Sequence, residues 1–113
     1  MSMYYICSRY RGTKEEISKH IEYAKALTRE MLLYGHCAIT PHLYMTDCLD
    51  DSDPEERKTG LEAALEILGK CDAVVVGQKF GISEGMAAEI AEAKKLGIPV
   101  FYRDSEERKV TDK

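Results

Sequence analysis

The feature that most constrains the fold is an apolar run, Ala73–Val76, that leads through a short turn into a helix-like segment. Four consecutive apolar residues, three of them valine, are typical of a strand buried on both faces of a parallel sheet. The segment Glu84–Leu96 predicts a helix, and Gly97 is placed to end it. A buried strand that feeds a helix through a turn is the repeating unit of α/β proteins.

The rest of the chain continues this alternation. A capping box, Thr13 with Glu16, begins the first helix, and Asp53 followed by Pro54 begins the second. Residues 41–53 are predicted to form a loop before the second helix. The predicted strands are Met3–Cys7, His36–Thr40, Ala73–Val76 and Ile98–Tyr102, and the predicted helices run from Thr13 to about Leu33, from Asp53 to about Lys70, and over Glu84–Leu96.

The order β-α-β-α-β-α-β predicts an α/β fold, a flavodoxin-like three-layer sandwich with a parallel four-stranded sheet in the order 2-1-3-4. A fifth short strand from the C-terminal tail is compatible with the pattern. In such sheets ligands bind beyond the carboxyl ends of the strands, where the winding reverses. That rule points to the loops after the first and third strands, residues 8–12 and 77–83.

Length and charge narrow the class of protein. A chain of 113 residues predicts one domain, residues 1–103, followed by a polar tail, residues 104–113. The net charge of −4 argues against a nucleic-acid polymer as partner, because such a partner requires a basic face. No apolar run approaches the roughly 20 residues that span a membrane. The first strand begins by Met3 and leaves no room for a signal peptide, so a cytoplasmic location is expected.

The cysteines and aspartates do not predict a metal site. The chain has no C-x-x-C pair, and structural thiols are expected at the four cysteines, Cys7, Cys37, Cys48 and Cys71. The acidic run between Asp47 and Asp53 lacks the glycine and terminal glutamate of a calcium loop. We therefore expect no metal and no cofactor.

The start of the third predicted helix is the first candidate site. Ser83, Glu84 and Gly85 follow a strand and a turn, which places free backbone N–H groups where an anion can bind. Glu89 lies four residues after Gly85 and shares its face of the helix, so a ligand close to the glycine reaches the carboxylate. The ordinary alternative is that Ser83 is only an N-cap and Glu89 only a solvated helix residue.

The loop after the first strand is the second candidate. It contains Ser8, Arg9, Arg11 and Gly12, and an arginine can hold a phosphate through two parallel hydrogen bonds. The alternative is a polar loop with solvated arginines, since no Walker loop is present.

The segment after the second strand is the third candidate, because it can overhang the same crevice. His42 is suited to stacking on a base or hydrogen-bonding it, and Tyr44 is expected to form a wall of the pocket. The alternative is that both residues anchor a packed loop.

Three motifs together resemble the nucleoside 2-deoxyribosyltransferase-like superfamily, most closely its small bacterial and phage branch. They are Tyr5–Gly12, Pro41–Tyr44 and Ser83–Glu89. The resemblance covers residues 3–102 and implies relatives that cleave the N-glycosidic bond of 2-deoxynucleosides or their 5'-monophosphates. The resemblance also implies that residues 1–103 form a nucleoside 2-deoxyribosyltransferase-like domain, related to the 2'-deoxynucleoside 5'-phosphate N-hydrolases.

The resemblance assigns roles residue by residue. Glu89 falls on the nucleophile, and Ser83 and Gly85 fall on the Ser and Gly of a Ser-x-Gly-x-x-x-Glu pattern. Ser83 favours a phosphorylated ligand, and Arg11 with Gly12 matches an Arg-Gly of the hydrolases. This chain has Ala64 where those hydrolases carry an acidic residue that assists catalysis.

The expected function is therefore that of an N-glycosidase or deoxyribosyltransferase acting on a deoxynucleoside 5'-monophosphate or related nucleotide. The alternative is a non-catalytic domain that senses or sequesters a nucleotide. Glu84, His42 and Asp50 remain open as the acid that protonates the leaving base. The expected partners are a small-molecule nucleoside or nucleotide and a second copy of the chain, because Leu43, Tyr44, Met45 and Leu49 look under-covered in a lone domain.

Overall fold

The computed structural model describes residues 1–103, and the predicted polar tail lies outside the described residues. The elements alternate along the chain as the sequence predicts, with one additional helix. In order they are β1 (Met3–Cys7), α1 (Lys14–Leu33), β2 (Cys37–Ile39), α2 (Pro41–Cys48), α3 (Pro54–Leu68), β3 (Ala73–Gly77), α4 (Glu84–Lys95) and β4 (Val100–Arg103).

The four strands form one sheet, and every neighbouring pair is parallel. The order β2-β1-β3-β4 confirms the predicted topology. The central strand β3 is buried along its whole length, which explains its uninterrupted apolar sequence. Because β1 lies between β2 and β3, the winding reverses beside β1, and the loops after β1 and β3 adjoin each other there.

Alternating side chains of the sheet form two cores. On one face, Ile6 and Val75 pack with the buried stripe of α1, which includes Tyr23, Leu27 and Met31. The other face carries Tyr5, Cys7, Val74 and Val76, and it packs with buried residues of α3 and α4, among them Leu68 and Met86. Because Tyr5 and Cys7 are two residues apart in β1, both side chains face the α3–α4 layer.

Helix α2 differs from the loop predicted over residues 41–53. Pro41 begins the predicted loop, but in the structure it occupies the first turn of α2. Proline fits that position because the missing N–H has no partner at a helix start and the fixed φ already suits a helix. Leu49 N–H closes the helix by donating to Met45 O at 2.8 Å, and the true loop is confined to residues 49–53.

The end of the sheet opposite to the strand carboxyl ends has a structural role. Asp72 Oδ2 accepts a hydrogen bond of 2.8 Å from Met3 N–H and ties the start of β1 to the segment before β3. Within the described residues, no helix has the length and apolar character needed to cross a membrane.

Candidate active site

A cavity of about 750 Å³ opens at the carboxyl end of β1, between the loop after that strand and helices α2, α3 and α4. This volume lies within the range of small-molecule sites. Its walls include the end of β1, residues 8–12, one face of α2, one face of α3 and the first turns of α4. The cavity therefore lies where a parallel sheet of this order binds its ligands.

Glu89 is the most unusual group in the cavity. It lies in the second turn of α4, and its Oε2 accepts a hydrogen bond of 2.7 Å from the Tyr5 hydroxyl. The Cys7 thiol also hydrogen-bonds the carboxylate. Tyr5 and Cys7 are both about 1% exposed, so the donors are fixed by the sheet from which they project. The carboxylate is thus held in one place by a rigid strand.

Burial raises the pKa of Glu89 above its ordinary value, and the hydrogen bonds from Tyr5 and Cys7 oppose that rise. Burial and the neighbouring carboxylate raise the pKa of both donors as well, so each keeps its proton. A proton-bearing Tyr5 donates to the anionic form of Glu89. The arrangement therefore stabilises a carboxylate that the apolar surroundings disfavour.

The first turn of α4 presents free backbone donors to the same cavity. Ser83 caps the helix, because its Oγ accepts a hydrogen bond of 3.2 Å from Met86 N–H. The N–H groups of Glu84 and Gly85 lie before the first intrahelical bond, so they are available to an anion. A Cβ added at Gly85 would meet no protein atom within 4 Å, which leaves open space directly above the helix start.

The loop after β1 contributes a cation that is already paired. Arg11 Nε lies 3.5 Å from Asp51 Oδ2, and this ion pair joins the loop to the segment between α2 and α3. Gly12 has a positive φ of 156°, and a Cβ there would lie 2.6 Å from Glu16 Oε1. Glu16 folds back over Gly12 to complete the capping box with Thr13, so Gly12 has a structural role in starting α1.

Ser8 and His42 form a second polar pair in the cavity. Ser8 Oγ and His42 Nε2 share a hydrogen bond of 3.2 Å, and the ring tautomer sets which atom donates. Burial lowers the pKa of His42 to about 4, so the ring is neutral at pH 7. The ring of Tyr10 meets the His42 ring edge-on, with centroids 6.2 Å apart. The pair joins the end of β1 to the first turn of α2.

Comparison with known proteins identifies the family. A family model described as "Domain of unknown function (DUF7768)" matches residues 2–103. The chain belongs to the DUF7768 family. No curated protein sequence matches this DUF7768 chain.

One similar solved structure is described as a 2-deoxyribosyltransferase from the psychrotolerant bacterium Bacillus psychrosaccharolyticus. It matches with a TM-score of 0.67 and 22% sequence identity, over 91% of this chain and 72% of the other. At this identity the likeness establishes a shared fold, the four-stranded parallel sheet with its helices. The likeness therefore confirms the predicted α/β fold.

The structure brings all but one of the predicted site residues to the cavity. Tyr44 is the exception, because it is 51% exposed and does not line the cavity. Two residues beyond His42 on a helix, Tyr44 points about 200° away from it, which a loop prediction does not reveal. The predicted residues that line the cavity are Ser8, Arg9, Arg11, Gly12, His42, Ser83, Glu84, Gly85 and Glu89.

Sequence reasoning missed the two groups that hold Glu89. The sequence predicts only a structural thiol at Cys7 and no individual role for Tyr5. The available signal was strand alternation, which places Tyr5 and Cys7 on one face of β1. Met45 and Thr46 of α2 and its C-cap residue Leu49 also line the cavity, and only a helical spacing of three, four and seven residues after His42 would have indicated them.

Proposed function

We propose that this protein cleaves the N-glycosidic bond of a deoxynucleoside 5'-monophosphate or related nucleotide, with Glu89 as the nucleophile. The observation that carries the proposal is a partly buried carboxylate in a ligand-sized cavity, oriented by hydrogen bonds from Tyr5 and Cys7. A solvated helix residue has no need of two fixed donors. The resemblance to deoxyribosyltransferases and the shared fold favour the same chemistry.

The proposed reaction has two steps. A Glu89 oxygen attacks C1 of the sugar and forms an ester, while the C1–N bond breaks and its electron pair leaves with the base, which takes up a proton. Water then attacks C1, loses its proton, and returns the electron pair of the ester bond to Glu89. If a second base attacks instead of water, the same ester gives transfer.

The phosphate of the substrate is proposed to bind at the first turn of α4. The free backbone N–H groups of Glu84 and Gly85 supply hydrogen-bond donors there, and the Ser83 hydroxyl supplies a further donor. Arg11 is the proposed cation, although it must leave or share its contact with Asp51. A carboxylate one turn beyond a phosphate site fits a nucleotide, because the sugar connects the two.

The acid that protonates the leaving base has one remaining candidate among the three expected. His42 is neutral at pH 7 because its pKa is lowered to about 4, so the ring carries no second proton to give to the leaving base. Asp50 does not line the cavity, and its carboxylate accepts hydrogen bonds from Ser52. Glu84 lines the cavity and is exposed. We propose that Glu84 positions a solvent molecule that supplies the proton.

A non-catalytic nucleotide-binding role is the second candidate, and one observation favours it. The cavity is lined by Ala64 of α3, at the position where the resemblance implies an assisting acid. A domain that only senses or sequesters a nucleotide has no need of that acid. Such a domain would keep the anion site and lose turnover.

A substrate panel separates the two candidates. The protein is incubated with deoxynucleosides, their 5'-monophosphates and the matching ribonucleotides, and free base is measured by chromatography while binding is measured by calorimetry. The enzyme proposal expects base release from a 5'-monophosphate and weaker action on the unphosphorylated nucleoside. Tight binding without base release favours the sensor, and no binding of any member contradicts both.

We also propose that the chain acts as a homo-oligomer. The α2 segment leaves Tyr44 half exposed, and Leu43 and Met45 are only partly buried. Exposed apolar side chains on a small domain are suited to contact with a second copy. Light scattering at micromolar concentration tests this, and a monomeric mass contradicts it.

A further inference from the structure

The ring of His42 has one nitrogen without a protein partner. Its Nε2 bonds Ser8, and within residues 1–103 no hydrogen bond reaches its Nδ1. The ring is only partly exposed and lines the cavity. A ring nitrogen that has no protein partner and belongs to a cavity wall is available to a polar atom of a ligand. His42 Nδ1 is therefore a position at which the protein can accept a hydrogen bond from a polar atom of a ligand or donate one to it.

The charge of the ring restricts which part of a nucleotide it suits. A neutral imidazole is a poor partner for a phosphate, and the cavity offers the arginines Arg9, Arg11 and Arg57 for that group. A neutral ring with an aromatic neighbour, Tyr10, suits a flat uncharged heterocycle. The chemistry of His42 thus matches a nucleobase rather than a phosphate.

The position of the ring relative to Glu89 supports the same assignment. His42 bonds Ser8, and Ser8 directly follows Cys7, whose thiol bonds Glu89. In the proposed reaction Glu89 faces C1 of the sugar, and the base is attached to that atom. His42 and Glu89 also line the same cavity, so a ligand whose sugar lies at Glu89 can place its base at the His42 ring.

We infer that His42, oriented by Ser8, is a specificity-determining residue that hydrogen-bonds the nucleobase of the ligand. This inference rests on the proposed nucleotide site and names the part of the ligand that is read there. Since the Ser8 hydroxyl can donate or accept, the pair can settle in either tautomer. His42 then presents a donor or an acceptor, which suits a base edge that carries both kinds of group.

The test compares a ligand that has a base with one that lacks it. Dissociation constants are measured by calorimetry for the deoxynucleoside 5'-monophosphates and for 2-deoxyribose 5-phosphate, in the wild type, His42→Phe and Ser8→Ala. Loss of one neutral hydrogen bond weakens binding about two- to tenfold. We expect that loss in His42→Phe for the best-bound nucleotide, with the base-free sugar phosphate unchanged. Ser8→Ala is expected to give a smaller loss and a weaker preference between bases.

His36→Phe is the matched control, because His36 stacks on Tyr4 with ring centroids 3.9 Å apart and does not line the cavity. It is expected to bind both ligands like the wild type. If His42→Phe does not fold, the ring nitrogens of wild-type His42 are followed by NMR, and a shift with a nucleotide but not with the sugar phosphate is expected.

Three results overturn the inference. An equal loss for both ligands in His42→Phe means that the residue contacts the sugar or phosphate, or only supports the fold. No loss for either ligand means that the ring contacts nothing in the complex. If the wild type binds 2-deoxyribose 5-phosphate as tightly as every nucleotide, the site reads no base, while the proposed anion site stands. Failure of the wild type to bind any of these ligands instead removes the proposed function itself.

Discussion

Substitution of Gly85 by alanine separates the stability of the fold from the use of the cavity. Gly85 lies in the first turn of α4, and a Cβ there meets no protein atom within 4 Å. Alanine is favoured over glycine in a helix by about 0.5–1 kcal/mol. For a domain of this size that gain corresponds to a rise of roughly 2–6 °C in the melting temperature. Gly85→Ala is therefore expected to be at least as stable as the wild type.

The same methyl group is expected to weaken ligand binding. If the open space above Gly85 holds the phosphate and sugar, the added group overpacks the complex at a cost of about 1–3 kcal/mol. Such a cost corresponds to roughly five- to 150-fold in the dissociation constant. Thermal unfolding and calorimetric titration with the best-bound deoxynucleoside 5'-monophosphate measure the two effects on one variant.

Ala91→Gly is the reverse control on the same helix, because Ala91 is exposed and does not line the cavity. It is expected to lose about 0.5–1 kcal/mol of stability with no change in affinity. Unchanged nucleotide affinity in Gly85→Ala refutes the argument that a ligand occupies this space. A lower melting temperature in Gly85→Ala refutes the argument that the space is free of protein atoms.

Three further predictions concern the charges of the cavity. Because the pKa of Glu89 is raised in the fold, its contribution to stability is present below the ordinary value of 4.5 and is lost as pH rises through the raised pKa. Denaturant unfolding should therefore show that Glu89→Gln is more stable relative to the wild type at pH 8 but not at pH 4. An equal difference at both pH values contradicts this. Tyr5→Phe removes a hydrogen bond to a charged group and should lower the free energy of unfolding by about 1.5–3 kcal/mol at pH 8. The loss should be smaller in the Glu89→Gln background, and equal losses in the two backgrounds would mean that the two residues are not coupled. Asp51→Asn frees Arg11 from an exposed ion pair worth at most about 1 kcal/mol. Calorimetry should then show that a phosphate-bearing ligand binds up to about fivefold tighter, while the affinity for an unphosphorylated nucleoside is unchanged. Equal gains in affinity for both ligands contradict the role of Arg11.

The fold could be predicted from the sequence because each element carries its own local signals. The valines of β3 indicate a strand buried on both faces, and Thr13 with Glu16 indicates the start of α1, where the structure has a complete capping box. Helix α2 could not be predicted in the same way, because it has eight residues and no side-chain cap at Thr40. Pro41 is compatible with the end of a strand and with the first turn of a helix, and only the packing decides between them.

The candidate site was predictable where it depends on backbone geometry. Ser83, Gly85 and Glu89 share a helix, so their spacing determines which of them face one side. The contacts of Glu89 were not predictable from spacing alone, since Tyr5 is 84 residues away in the chain and only the sheet brings the two together. Tyr44 was misplaced for the same reason that α2 was missed, because a residue's direction depends on the element to which it belongs.

The central claim is that the Glu89 carboxylate forms the bond to the sugar, and Glu89→Gln tests it most directly. The amide keeps the shape of the side chain and removes the attacking charge. Initial rates of base release are measured for the wild type, Glu89→Gln and Glu92→Gln, each with binding measured on the same ligand. Glu92 lies one turn later on α4 and does not line the cavity, so its variant controls for loss of charge on the helix.

We expect base release to fall by orders of magnitude in Glu89→Gln, while the dissociation constant stays within a few-fold of the wild type and Glu92→Gln cleaves normally. In the wild type the acidic limb of the pH–rate profile should lie above the ordinary pKa of a glutamate, because burial raises the pKa of Glu89. Base release by Glu89→Gln at the rate of the wild type would contradict the account.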